Sequence, residues 1–149
     1  MPELPEVAAY LTALERWCGN QVLEGTALRS PFLVRSAEPP LAATHGRRLT
    51  GFRRLGKRLV WELEGELVLV FHLMVAGRLH WRPPGVRPRT RAELLALHFS
   101  AGTVMVTESG STRRASLFVV AGEGARRSHD PGGLEVLDSD LEAFAAALA

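Results

Sequence analysis

Apolar residues recur every three or four positions at the start of the chain, whereas farther along they form short runs separated by turn residues. The early spacing predicts an amphipathic helix whose apolar face carries Leu4, Val7, Leu11, Leu14 and Trp17. Pro5 suits the first turn of such a helix, and the Gly-Asn pair at residues 19–20 is typical of its end. We therefore expect a helix close to the amino terminus.

The remainder of the chain is patterned mainly for β-strands. Strands are predicted near residues 22–29, 48–54, 57–63, 66–72, 77–82, 94–100, 103–107 and 114–120. Two dipeptides, Glu64-Gly65 and Ala101-Gly102, are the tightest predicted hairpin turns. Near the end of the chain, residues 139–142 form a capping box that predicts a second helix, with Leu141, Phe144 and Leu148 on one face.

Composition limits the class of protein. With 149 residues, 46% of them apolar, the chain can bury the core of one domain, which excludes a natively disordered chain. Its longest apolar stretches, such as residues 67–71, are far shorter than the roughly 20 residues of a membrane helix, so we expect a soluble cytoplasmic protein. Cys18 is the only cysteine, and the histidines lack zinc-like spacing, so no metal site is expected within these residues.

The basic residues are nearly all arginine. Lys57 is the single lysine among 18 basic residues, and the formal net charge is +2. Arginine richness has a simple explanation in coding bias, whereas one retained ammonium indicates a place that needs a compact point charge, unless it is there by chance. The arginines cluster at positions 47–48, 53–54, 87–91, 113–114 and 126–127. These clusters are either phosphate contacts or solvated faces.

The first three residues carry a possible nucleophile. Removal of Met1, which the small second residue permits, would leave Pro2 with a free secondary amine. An α-amino group titrates near 7.7–8.0, far below the roughly 10.4 of lysine, so a useful fraction is unprotonated at neutral pH and able to attack a sugar C1′. Glu3 and Glu6 are candidate general acid-base groups for such a reaction. The alternative is that both are ordinary acidic residues at the start of a helix.

The opening Met-Pro-Glu-Leu-Pro-Glu-Val resembles the amino terminus of bacterial formamidopyrimidine-DNA glycosylases, a family that also includes endonuclease VIII. The resemblance implies that Pro2 is the nucleophile and Glu3 the catalytic acid, with Glu6 in support. It also implies that Lys57, within the segment 53–59, is the lysine with which the family holds a DNA phosphate from a strand hairpin. Lys57 is the residue that composition had also singled out.

Two further segments are similar to family motifs but depart from them. Residues 72–77, His-Leu-Met-Val-Ala-Gly, resemble the family's His-Leu-Gly-Met-Ser-Gly, whose methionine fills the space left by a flipped nucleotide. Met74 is displaced by one position and Val75 occupies the matching place, so Met74 is either the wedge or a residue buried in the sheet. His72 is expected to be structural or close to a phosphate.

Residues 111–116, Ser-Thr-Arg-Arg-Ala-Ser, stand where the family has Asp-Pro-Arg-Arg-Phe-Gly. By this resemblance Arg113 reads the orphaned base, whereas Ala115 cannot replace the family's aromatic wedge. The alternative for Arg113 and its neighbour is a strand entry with two solvated charges.

The resemblance implies the fold: a mainly β (α+β) domain, a two-sheet β-sandwich or flattened barrel flanked by amino-terminal and carboxy-terminal helices. We expect the amino-terminal catalytic domain over residues 1–133. Residues 134–149 would be a linker and the start of a helix leading to a carboxy-terminal DNA-binding region absent here. No cofactor is expected in this segment, and zinc is expected in the family's carboxy-terminal finger.

The implied function is a bifunctional DNA glycosylase/AP lyase that excises oxidised bases, oxidised purines in first place, through a Schiff base in base excision repair. Its partner would be double-stranded DNA with damaged bases or abasic sites, and it would act as a monomer at the bacterial nucleoid, without a membrane. Two alternatives stay open: an endonuclease VIII-like enzyme for oxidised pyrimidines, and a noncatalytic domain that binds damaged DNA.

Overall fold

The structure is a computed structural model that describes residues 4–36 and 38–121. Helix α1 spans Leu4–Cys18 and confirms the predicted amino-terminal helix. Its inward face is buried at Val7, Leu14 and Cys18, as the helical period predicts. Asn20 has a φ of 63°, a left-handed conformation that asparagine tolerates better than most residues, so the chain turns away and the helix ends where expected.

In the described part of the chain, nine strands follow the helix. Their bounds are β1 Val22–Leu23, β2 Gly25–Leu28, β3 Arg47–Leu55, β4 Arg58–Leu63, β5 Leu67–His72, β6 Gly77–Arg82, β7 Glu93–His98, β8 Thr103–Glu108 and β9 Ser116–Ala121. One sheet has the order β1-β3-β4-β5-β9 and the other β2-β7-β8-β6, with antiparallel pairing between neighbouring strands. Short 3-10 helices lie at Pro31–Leu33 and Leu41–Thr44.

The core lies between the two sheets and under α1. Buried residues from the helix and from both sheets form one cluster, which includes Leu14, Trp61, Phe71, Leu97 and Leu117. Strands β4 and β5 are buried on both faces, because Val60, Val68 and Val70 form a second, smaller cluster with Leu55 and Phe118. The predicted two-sheet β-sandwich with an amino-terminal helix is therefore confirmed. The predicted carboxy-terminal helix and the boundary at residue 133 lie outside the described residues.

The single strand predicted over residues 22–29 is wrong. The chain forms β1, which pairs with β3, and then crosses to the other sheet, where β2 pairs with β7. At the crossing, the Glu24 backbone nitrogen donates to His98 O at 2.8 Å. A local run of β-forming residues does not reveal which distant strand each half will meet, and for this reason the pattern alone could not show the crossing.

The second predicted hairpin turn is displaced by one residue. Phe99 and Gly102 exchange backbone hydrogen bonds at 2.8 and 3.3 Å, so residues 100–101 form the turn and Gly102 belongs to the hairpin stem. A Cβ on Gly102 would lie 2.4 Å from Cζ2 of Trp81. This glycine therefore serves a close approach to an indole ring and not a turn.

Contacts along β6 fix the direction of α1. The Trp17 and Trp81 rings stack with centroids 5.8 Å apart and an interplanar angle of 8°, and the Leu79 backbone nitrogen donates to Tyr10 Oη at 3.4 Å. The helix therefore runs in the same direction as β6, with Tyr10 beside Leu79 and Trp17 beside Trp81. The first turn of α1 is accordingly directed toward Gly77, where β6 begins. No helix in residues 4–36 or 38–121 has the length and apolarity needed to cross a membrane.

Candidate nucleic-acid interface

Strand register brings three turns to one edge of the sandwich. Leu59, Phe71 and Leu117 lie in one row across β4, β5 and β9, and the next row outward holds His72 opposite Ser116. The β3–β4 turn with Lys57, the chain after His72 and the chain before Ser116 therefore all leave the sheet at the same end. In the other sheet Gly77 pairs with Glu108, so β6 begins and β8 ends at this edge as well. We call it the turn edge.

Lys57 lies in a tight hairpin turn. Leu55 pairs with Arg58, which leaves Gly56 and Lys57 as the two connecting residues. Gly56 has a φ of +61°, a conformation in which a side chain would be strained. Arg54 Nη1, on strand β3, donates to Gly56 O at 3.2 Å and stabilises the turn. The Lys57 side chain, half-buried, is thereby carried at a fixed point of the turn edge.

The segment after His72 is a closed turn with an apolar tip. The Gly77 backbone nitrogen donates to Leu73 O at 2.9 Å, and Met74 takes a left-handed φ of 59°. Within this turn Leu73 is buried and Met74 half-buried, whereas Val75 is 69% exposed. Val75 is thus the projecting side chain, at the position that matches the family's methionine. The role of wedge proposed for Met74 stays a prediction.

A buried carboxylate organises the loop that carries the arginine pair. Glu108 is only 1% exposed, and its Oε2 accepts from the backbone nitrogens of Arg114 at 3.0 Å and Ala115 at 2.8 Å. Ala115 is itself 3% exposed, so no side chain projects from that position. The acid thus fixes the backbone at the point where the loop enters β9.

The two arginines of this loop face different surroundings. Arg113 is half-buried, and its guanidinium donates to Gly110 O and, at 3.1 Å, to Arg91 O. Arg114 is exposed and lines a pocket of about 190 Å³ together with Val75, Ala76, Glu108 and Thr112. The loop after β8 and the turn after β5 therefore meet, and they form one surface with an apolar tip and flanking positive charge.

The remaining predicted residues lie at the start of the chain. Pro2 and Glu3 fall outside the described residues. Glu6 is exposed in the first turn of α1, the end of the helix that is directed toward Gly77 and the turn edge. Among the residues that the structure describes, no group of three or more His, Cys, Asp or Glu side chains is arranged to hold a metal ion.

Sequence reasoning missed two residues of this region, Glu108 and Phe32. Glu108 ends a strand like many surface acids, and only the later folding back of the chain buries it. Phe32 is 78% exposed beside Arg113. An aromatic residue directly after Pro31 in a turn was the available signal, because an apolar ring in an irregular segment either anchors it or meets a partner.

Solved structures share this architecture. A Lactococcus lactis formamidopyrimidine-DNA glycosylase bound non-covalently to DNA containing an AP site aligns with a TM-score of 0.73 at 22% identity, over 80% of this chain and 45% of that one. A related complex with DNA containing carbocyclic 8-oxo-G gives 0.73 at 24% identity, over 82% and 45%. The fold is therefore one that a class of DNA glycosylases contains, over somewhat less than half of each solved chain.

Sequence comparison identifies the family. The model of the formamidopyrimidine-DNA glycosylase N-terminal domain matches residues 1–114. A formamidopyrimidine-DNA glycosylase of Acidovorax ebreus is 35% identical over 99% of this chain and 55% of its own length, and one of Heliobacterium modesticaldum is 33% identical over 95% and 53%. The chain belongs to the formamidopyrimidine-DNA glycosylase family. It spans about half the length of these two relatives.

Proposed function

We propose that the chain is the catalytic amino-terminal domain of a bifunctional DNA glycosylase and AP lyase that acts on oxidised purines in double-stranded DNA. The observation that carries this proposal is the turn edge, where the Lys57 turn, the exposed Val75 and the arginine loop converge. The first turn of α1 is directed toward the same edge, and Pro2 precedes that turn by two residues.

The chemistry proposed for Pro2 begins after removal of Met1. The lone pair of the secondary amine forms a bond to the sugar C1′, and the bond from C1′ to the damaged base breaks. The departing base takes the electron pair of that bond together with the proton released from the Pro2 nitrogen. Glu3 donates a proton to the sugar ring oxygen, the ring opens, and an iminium links Pro2 to C1′. The iminium acidifies the C2′ hydrogen, and loss of that proton expels the 3′ phosphate. Water then releases the enzyme.

The turn edge carries side chains suited to opening the DNA duplex, which this chemistry requires. A base must leave the duplex before an amine reaches its sugar, and extrusion costs a few kcal/mol. An apolar side chain inserted into the gap and cations on the flanking phosphates offset that cost. Val75 or Met74 would serve as the inserted group, and Lys57 as the phosphate contact. His72, at the end of β5, lies in the row beyond the core and is proposed to be close to a phosphate.

The preference for oxidised purines is supported by the relatives. The matched proteins are named formamidopyrimidine-DNA glycosylases, and the solved complexes include DNA with 8-oxo-G analogues and with Fapy-dG. One feature favours the oxidised-pyrimidine alternative: the buried Ala115 offers no aromatic group beside Arg113. A panel of duplexes, each with one defined lesion opposite each of the four bases, decides between the two.

Borohydride trapping tests the mechanism. Protein whose loss of Met1 is verified by intact mass is mixed with a duplex that contains one abasic site, and sodium borohydride is added. We expect a covalent adduct that peptide mapping places on Pro2 and that Pro2→Gly abolishes. Glu3→Gln should still form an adduct at a preformed abasic site, but should not excise a damaged base. Tight binding to abasic DNA without an adduct would instead establish the noncatalytic alternative.

A further inference from the structure

An exposed aromatic ring stands beside the arginine loop. Among the large apolar side chains of the described residues, Phe32 is the most exposed at 78%. It lines a groove of about 370 Å³ with Pro31, Val34, Arg35 and Arg113. A phenylalanine held in water forgoes the stabilisation that burial gives, so its position needs an explanation.

The segment that carries the Phe32 ring, residues 29–36, is firmly attached to the sandwich. On one side, the backbone nitrogens of Arg29 and Ser30 donate to Leu94 O at 2.8 and 3.2 Å, which ties the segment to β7. On the other side, the Arg35 nitrogen donates to Leu117 O at 2.9 Å, and the Val119 nitrogen donates to Ser36 Oγ at 2.7 Å, both in β9.

Between these ties, the 3-10 turn Pro31–Leu33 sends its two apolar side chains in opposite directions. Leu33 is 2% exposed and belongs to the main core, so it anchors the turn. Phe32 consequently points outward. Arg35 Nε donates to Phe32 O at 2.5 Å and holds the backbone at this residue. The ring is thus presented on a segment fixed to both sheets.

The charges around the ring limit what it can bind. Two guanidinium groups, those of Arg35 and Arg113, line the same groove, and no described carboxylate lines it. The groove lies at the turn edge, because Val34 bridges to Leu117 at the start of β9 and Arg113 belongs to the loop before that strand. An aromatic face that shares a groove with two cationic side chains suits a planar ring attached to an anionic backbone, which is the make-up of an unpaired nucleotide.

We propose that Phe32 stacks on a nucleobase left without a partner in the duplex, with Arg35 and Arg113 beside the attached backbone. This inference rests on the proposed function, since it assumes that the turn edge meets DNA containing a lesion or an abasic site. It adds a contact from the segment between β2 and β3, where the sequence motifs assign no role. The contact also supplies an aromatic surface next to Arg113, which the buried Ala115 does not provide.

The test measures binding to three duplexes of one sequence with the Met1-processed chain. The first duplex is intact, the second contains a reduced abasic analogue, and the third carries 2-aminopurine opposite that analogue. We expect Phe32→Ala to weaken binding of the abasic duplex about tenfold. Binding of the intact duplex should change less than twofold, and quenching of 2-aminopurine by the protein should be lost. Phe32→Trp should retain tight binding, with quenched indole fluorescence.

Two controls complete the design. Phe32→Leu keeps an apolar side chain without an aromatic face and should behave like Phe32→Ala, whereas Leu28→Ala removes another exposed apolar side chain outside the groove and should bind like the parent. Because Phe32 is largely exposed, its variants should retain the circular dichroism of the parent. Equal losses on intact and abasic duplexes, or no loss with Phe32→Ala, would overturn the proposal for Phe32. Failure of the parent itself to bind abasic DNA would instead overturn the proposed function.

Discussion

Both carboxylate oxygens of Glu108 accept a hydrogen bond from the Arg114 backbone nitrogen, at 3.1 and 3.0 Å. The neighbouring Ala115 nitrogen adds a third bond at 2.8 Å. A buried carboxylate is costly unless donors surround it, and here the donors are the N–H groups of the loop that the carboxylate fixes. The acid and the arginine loop therefore depend on each other.

Glu108→Gln should destabilise the protein. The amide oxygen can take the place of Oε2, but the amide NH2 then replaces Oε1 and directs a second donor at the Arg114 N–H, while the remaining hydrogen bonds lose their charged acceptor. We expect a cost of about 1–3 kcal/mol. Urea denaturation measures the difference in the free energy of unfolding. Glu24→Gln, at an exposed position, serves as the matched control and should leave that free energy unchanged. An equal stability for the parent and Glu108→Gln would show that the hydrogen bonds are not formed in solution.

Gly77→Ala should distort the turn with Val75 at its tip. An added Cβ would lie 2.2 Å from Leu73 O and 2.9 Å from Leu73 C and Cα. These are backbone atoms, so the turn itself must move, and we expect a loss of about 1–3 kcal/mol in the free energy of unfolding. Gly25→Ala is the control, because no atom lies within 4 Å of its added Cβ. If both variants are as stable as the parent, the closed turn is not the solution conformation.

Lys57→Gln should reduce the salt dependence of DNA binding. Loss of one phosphate contact lowers the slope of log K against log salt concentration by about 1. Fluorescence anisotropy of an abasic duplex, titrated at several salt concentrations, gives the slope. Arg87→Gln removes a charge from the opposite end of the sandwich, where Arg87 lines a groove with Gly25 and His98, and should leave the slope as it was. Equal slopes for Lys57→Gln and the parent would remove Lys57 from the interface.

Stability should fall as the solution becomes acidic. Burial, with Arg82 and Arg78 nearby, lowers the pKa of His80 below 6.5, and burial with Arg87 lowers the pKa of His98. Above pH 6.5 the two histidines are neutral in folded and unfolded chains alike. Below it the unfolded chain takes up protons first, so the free energy of unfolding decreases until the folded histidines titrate.

Urea denaturation at pH 7.5 and at pH 5.5 measures this decrease in the free energy of unfolding. The double variant His80→Asn/His98→Asn lacks both imidazoles and should lose less stability between the two pH values. An equal loss in the double variant and the parent would assign the pH dependence to other groups.

The thiol of Cys18 should be inert in the folded protein. Burial, with the charge of Glu15 adding to it, raises the pKa of Cys18 to about 12, and its side chain is 0% exposed. The thiolate is the reactive form and is scarce at pH 8 under these conditions. A chromogenic disulfide reagent should therefore detect no thiol in native protein and one in urea. Rapid reaction of native protein would show that α1 opens readily.

Much of the fold can be predicted from the local pattern of apolar residues. Side chains on one face recur every 3.6 residues in a helix and every 2 residues in a strand, so the apolar spacing indicates which element can bury them. That relationship places α1 and predicts a strand in each region where one or two are found. The crossing between β1 and β2 and the role of Gly102 depend instead on distant partners, namely β7 and Trp81. Local spacing holds no information on such partners.

The candidate site divides in the same way. Lys57 and Arg113 stand out in sequence, through rarity or motif, and register gathers their turns at one edge. Glu108 and Phe32 carry no motif. Glu108 is buried because the loop after β8 folds back over it, so that Arg114, six residues later, donates to its carboxylate. Phe32 is exposed because Leu33 takes the inward position in the same turn. Neither the burial of Glu108 nor the exposure of Phe32 could therefore be predicted from the sequence alone.

The placement of the proposed contact residues beyond the last paired row of each strand has an evolutionary consequence. Leu59, Phe71 and Leu117 maintain the sandwich, whereas Lys57, Val75 and Arg113 lie in turns that those rows merely support. Under the proposed function, substitutions in the turns would redirect the lesion preference, while the sandwich would retain its free energy of folding. Among proteins descended from this domain, sequence differences would then accumulate in the turns of the turn edge, whereas the core residues would change more slowly.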